Sequence, residues 1–92
     1  MNFYLISYDL IQDKNYKGLI DAIKSIANGY CTPLKSVWLI GNSGTSSEVR
    51  NYLSGYIDSD DKLLVVKLSD EAAWTTSIGN DNAQWILNHL QP

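Results

Sequence analysis

The run Phe3-Tyr4-Leu5-Ile6-Ser7-Tyr8-Asp9-Leu10 constrains this chain more than any other segment. From Asn2 to Asp9, β-branched and aromatic side chains occupy both alternating sets of positions, which predicts a strand with neither face wet. Such a strand needs a covering layer on each side of its sheet. It also ends in a carboxylate, and an ionised group at the rim of a buried strand is unfavourable unless something pairs with it. Asp9 is therefore either a capped turn residue or the centre of a site.

Beyond the first strand the apolar period changes from two to that of a helix. Asp13 and Asn15 mark a helix entry, and Tyr16, Leu19, Ile20, Ile23 and Ile26/Ala27 form one buried stripe. Lys17, Asp21 and Lys24 fall on a solvated side, and Gly29 supplies the turn that ends the helix. Tyr30 to Leu34 is a short extended piece that Pro33 restricts to an edge or a bulge. Ser36 to Ile40 is a firmer strand, followed by a loop at Gly41 to Gly44. Thr45 with Glu48 spells a capping box that opens a second helix, with Val49, Tyr52, Leu53 and Tyr56 on its buried side. Ile57 to Lys62 is an acidic turn, and Leu63 to Leu68 a strand apolar on both sides. The order β-α-β-β-α-β predicts an α+β, ferredoxin-like sandwich. One domain spans residues 1–92, with a core at about 1–69 and an appendage at about 70–92. In the appendage Asp81 with Gln84 reads as a capped start, and Trp85, Ile86 and Leu90 as a closing helix.

Composition narrows the partners. At 92 residues a fold buries only about 60–65% of the surface its unfolded chain exposes. Two helices cover one face of a four-stranded sheet, so the other face needs a second subunit, the C-terminal segment or both, and a homodimer formed sheet to sheet, with the tail joining the interface, is expected. The formal charge is −3 and the seven cations are scattered, with Arg50 the single arginine, which argues against a general nucleic-acid coat. Cys31 alone permits neither an internal disulfide nor a thiolate zinc cluster, and His89 alone permits no histidine pair. No apolar run approaches the ~20 residues of a membrane span, and no leader precedes the first strand. A cytoplasmic protein without membrane contact is expected.

Three segments carry a family resemblance. Tyr4-Leu5-Ile6-Ser7-Tyr8-Asp9-Leu10 resembles the first-strand motif of the CRISPR-associated protein two family, Lys35-Ser36-Val37-Trp38 resembles its third-strand motif, and Asp60-Asp61-Lys62-Leu63-Leu64-Val65 resembles its acidic turn and following strand. Together they span roughly residues 3–68, in the family's order and spacing. The resemblance implies a ferredoxin-like homodimer that is either a metal-dependent endonuclease on RNA or DNA or a structural adaptor of spacer integration. It implies that Asp9 is a catalytic, metal-binding aspartate using Mg²⁺ or Mn²⁺, and that Ser36 is a polar site residue. Departures from the family pattern are the few cations early in the first helix, Lys14 and Lys17, and the segment Glu71-Ala72-Ala73-Trp74 with its Trp85 helix, which is similar to small stand-alone relatives. Virulence-associated protein D toxins, which share the fold, are a neighbouring resemblance.

Bare chemistry sets two readings beside each candidate. A single Asp9 carboxylate is a poor Mg²⁺ site, but a two-fold axis beside the first strand brings two together. The rival role is capping the loop that follows. Asp58, Asp60 and Asp61 lack the glycine and glutamate of a calcium loop and read as a solvated turn. Cys31 reads as a small packed side chain, and His89 as a helix-end residue. Trp38, Trp74 and Trp85, with Tyr4 and Tyr8, read as core or dimer interface ahead of base-stacking. Two functions from different classes follow: a metal-dependent endonuclease, or a non-catalytic dimeric module that binds a protein partner.

Overall fold

The computed structural model describes residues 1–11 and 16–90. The strand β1 (Asn2–Asp9) is followed by the helix α1 (Tyr16–Ile26), the hairpin strands β2 (Tyr30–Leu34) and β3 (Val37–Asn42), the helix α2 (Ser46–Ser54) and the strand β4 (Lys62–Lys67). A single turn of tighter helix at Thr76–Ile78 leads into α3 (Asn80–His89). The expected helix entry at Asp13 and Asn15, and Lys14, lie outside the described residues.

All four strands pair antiparallel in the order β2-β3-β1-β4. The connection through α1 therefore passes over β3, and the connection through α2 passes over β1. Alternation along β1 divides its side chains between two layers. Tyr4, Ile6 and Tyr8 face α1 and α2, where they meet Leu19, Ile23, Trp38, Ile40, Val49 and Leu53. Polar atoms in this layer are matched: the Tyr4 hydroxyl donates to the Gly44 carbonyl, and Trp38 Nε1 donates to the Tyr8 hydroxyl at 3.4 Å.

Phe3 and Leu5 face the other way, into a second layer with Cys31, Leu39, Ile86 and Leu90, flanked by Trp74, Ile78 and Trp85. The appendage thus packs on its own sheet, along β2, β3 and β1. A ten-residue helix is marginal by itself, so packing is what holds α3 in place. Asn82 pins it to the sheet edge: its Oδ1 accepts from the Thr32 amide at 3.1 Å and its Nδ2 donates to the Ile78 carbonyl at 2.7 Å.

Several expectations need correction. The third strand starts at Val37, because Ser36 sits in the left-handed region at φ 59 as part of the β2–β3 turn. Gly41 and Asn42 belong to that strand and not to a loop. A side chain at Gly41 would meet the Asn28 carbonyl oxygen and Met1 Sδ, each at 2.6 Å, so the neighbouring backbone approaches only because glycine stands there. Tyr16, Tyr52 and Tyr56 are exposed rather than buried. Tyr52 near the end of α2 and Tyr56 in the turn beyond it have ring centroids 5.5 Å apart, forming a surface pair. Neither Asp81 nor Gln84 caps α3, whose N-cap is Gly79 at φ 95; Asp81 stands in the first turn. The outward set of β4 is open: Leu64 is 58% exposed and Val66 42%. The capping box of Thr45 and Glu48 does form, with both reciprocal bonds present at 2.9 and 3.1 Å.

Candidate functional site

The carboxyl end of β1 is where the candidate residues gather. Asp9, its last residue, is exposed and belongs to the alternating set that points away from α1 and α2. In the β1–β4 register it stands directly opposite Lys62. Side chains opposite one another across an antiparallel pair lie on the same face about 5 Å apart at Cβ, so Lys62 shares the sheet face of Asp9. On the other flank Ser36 is drawn in by its backbone, whose carbonyl accepts the Tyr8 amide at 3.3 Å. Asp9 and Ser36 therefore do share one end of the sheet. What brings Ser36 there is main-chain pairing in a tight turn.

The acidic turn reaches the same end. Asp61 Oδ1 accepts from the Ile11 amide at 3.0 Å, and Oδ2 accepts from the Asp58 amide at 2.8 Å. A further bond from the Asp61 amide to the Asp58 carbonyl at 3.1 Å closes the turn. Ligand atoms of Asp58, Asp60 and Asp61 lie within 4.8 Å of one another, the group of three such residues that the described part of the chain holds. Both Asp61 oxygens already serve the turn, binding it to the start of the β1–α1 connection. This is the structural work the sequence assigns to a solvated acidic turn, with an added tether across the sheet.

Divalent-metal chemistry can be tested against these donors. Mg²⁺ usually binds through one or two carboxylates plus waters and substrate phosphates. Asp9 contributes one carboxylate, opposite Lys62 in the strand register. Among the described residues Asp9 belongs to no group of three or more metal-ligating side chains. Sequence reasoning misses Lys62 here because strand register, which sets the pairing, is not readable from either strand alone.

A second feature lies on the same sheet face. Between the appendage and the sheet runs a groove of about 350 Å³, lined by Leu5, Leu34, Val37, Leu68, Trp74 and Ile86. Its mouth adjoins the exposed Leu34, and across β1 lie the exposed Leu64 and Val66. Cys31 and His89, the nucleophile and base candidates, do not line it. Cys31 is buried, and desolvation pushes its thiol up to about 11, which leaves it protonated and inert. The His89 ring stacks on Trp85 at 4.4 Å, with Nδ1 held 2.8 Å from the Trp85 carbonyl at the end of α3. Trp38 is buried, and Trp74 and Trp85 pack in the second layer, which matches the core reading of the aromatics.

No protein-family model matches the chain, and no solved structure matches it. Among the described residues no helix is long and apolar enough to cross a membrane.

Proposed function

We propose that this chain is a ferredoxin-like interaction module that acts as a homodimer, without phosphodiester chemistry of its own. The strand order β2-β3-β1-β4 with two crossing helical connections supports the ferredoxin-like reading. The observation that carries the functional reading is the pairing of Asp9 with Lys62 in register. The one acid that the family resemblance makes a metal ligand stands opposite a lysine in the strand register. The chain's own appendage also takes up much of the sheet face on which two copies would meet to bring two Asp9 side chains together. Exposed apolar side chains on β4 meanwhile offer a surface for association. In this reading the acidic balance and the single arginine follow naturally, since a protein partner imposes no demand for phosphate-neutralising charge.

The experiment is direct. Purified protein is incubated with single- and double-stranded RNA and DNA in Mg²⁺ or Mn²⁺, alongside Asp9→Ala, and metal binding is followed by calorimetry. The expected result is no cleavage by either protein, no metal heat assigned to Asp9, and a dimer by sedimentation equilibrium. Metal-dependent cleavage that disappears in Asp9→Ala would overturn it. A second reading, a cytoplasmic CRISPR-associated-type endonuclease, is favoured by the gathering of Asp9, Ser36 and the acidic turn at one end of the sheet, and the same cleavage result would establish it.

A further inference from the structure

The appendage builds one wall of the groove beside Trp74 and the sheet builds the other, so a single chain encloses it. Leu39, Ile86 and Leu90 line its buried part, and Leu34 stands exposed at its mouth. The walls are held in place. Asn82 ties the start of α3 to the Thr32 amide on β2, and Ile86 and Leu90 pack its later turns into the second layer. Between these anchors about 350 Å³ is left that no side chain of the described residues fills. Small-molecule sites are concave, mostly apolar spaces of about 300–1,000 Å³ with a few polar groups that fix orientation. An apolar cavity of about 150 Å³ already takes up benzene, so this groove has room for a ring and a short chain. A peptide would bring amides and carbonyls that apolar walls cannot satisfy.

The polar features of the lining favour one sign of charge. Glu71 is the single charged residue along it, exposed and without a hydrogen bond or ion pair among the described residues. Trp74 lines the same groove, and an indole face attracts cations through its quadrupole.

We propose that this groove is a binding site for a small apolar amine, a ring with a short chain that ends in an ammonium group. The apolar body seats against Leu5, Leu39 and Ile86, and its burial supplies the affinity. The ammonium stays at the rim with Glu71 and Trp74, keeping part of its water. An acid of the same shape is disfavoured, because its carboxylate meets Glu71. A neutral alcohol gains the burial and neither charge interaction. Glu71 is exposed, so the head group sets selectivity more than affinity, with about a threefold preference for amine over alcohol. The site is complete within one chain. It goes beyond the association proposed above and does not depend on it.

The test is a titration of the full chain, followed by amide and indole NMR shifts, with three probes that share one body: phenylbutylamine, phenylbutanol and phenylbutyrate. The amine should saturate, with shifts centred on Leu5, Val37, Trp74 and Ile86. It should bind about threefold tighter than the alcohol and about tenfold tighter than the acid, and added salt should narrow both gaps. Glu71→Gln, a change at an exposed position, should abolish the preference for the amine and leave the alcohol's affinity unchanged. Ala72→Leu, which puts bulk into the lining, should weaken all three at least tenfold while the thermal melt shows a folded protein. The proposal is refuted if no probe saturates, if the shifts fall elsewhere, or if the acid or the alcohol binds as tightly as the amine. It is refuted equally if the groove residues shift on raising the protein concentration alone, since a second copy then occupies the space.

Discussion

Replacing Ile86 with alanine isolates the claim that the appendage is a layer of its own chain. Ile86 is 5% exposed and packs in the second layer with Leu39, Cys31 and Leu90. The substitution removes three carbons, worth about 2.4 kcal/mol at ~0.8 kcal/mol each, plus a cavity term that brings isoleucine-to-alanine changes to about 2–5 kcal/mol. This layer adjoins an open groove and can collapse partly, so a cost of about 2–3 kcal/mol is expected. Leu87, its neighbour on α3, is 46% exposed and should cost less than about 0.5 kcal/mol when cut to alanine. Urea melts give the two values, and hydrogen exchange of the α3 amides shows whether the loss is local. Each melt is run at two protein concentrations a hundredfold apart. If Ile86→Ala costs no more than Leu87→Ala, the layer is not packed as described. If its cost depends on concentration, α3 sits on another copy.

Other outcomes test the remaining joints of the fold. Thr45→Ala removes one arm of the capping box on α2 and should cost about 1 kcal/mol, lowering the melting temperature by about 4–8 °C in a thermal scan. Cys31 holds its proton in the fold well above the ordinary thiol range, so the unfolded chain loses that proton first as pH rises. Stability should fall as pH climbs from about 9 towards about 11, and be insensitive to this group below that window. Thiol labelling at pH 8 should be slow in the native protein and fast in denaturant. Equal rates would show Cys31 exposed.

The strands and helices were readable where side-chain period and capping chemistry act locally. The two-sided apolar pattern of Asn2–Asp9 gives β1, the Thr45–Glu48 pair gives the start of α2, and Gly29, at φ 80, stands just beyond α1 as a terminator should. Errors came where tertiary context decides. Tyr52 and Tyr56 carry helix-stripe spacing, but an aromatic ring with a polar tip is at home on a surface, and here the pair bonds through its hydroxyls at 3.3 Å. Gly41 looked like loop material because the close approach of Asn28 is invisible in a linear string. At the candidate site Asp9 and Ser36 were found as neighbours of one sheet end, while Lys62, the residue that changes the meaning of Asp9, depends on register across 53 positions of chain.

The placement of β1 in the middle of the sheet has a consequence for biosynthesis. Its two neighbours are β3 and β4, so an emerging chain carries Tyr4, Ile6 and Leu5 unpaired until Val37–Asn42 arrives, and with one flank bare until Lys62–Lys67 follows. Contacts of such sequence separation form slowly, because loops must close before pairing rewards them. The nascent polypeptide thus holds a sticky, strand-forming segment in waiting until Lys62–Lys67 has been made. Ribosome-associated chaperones would find their site on this protein there.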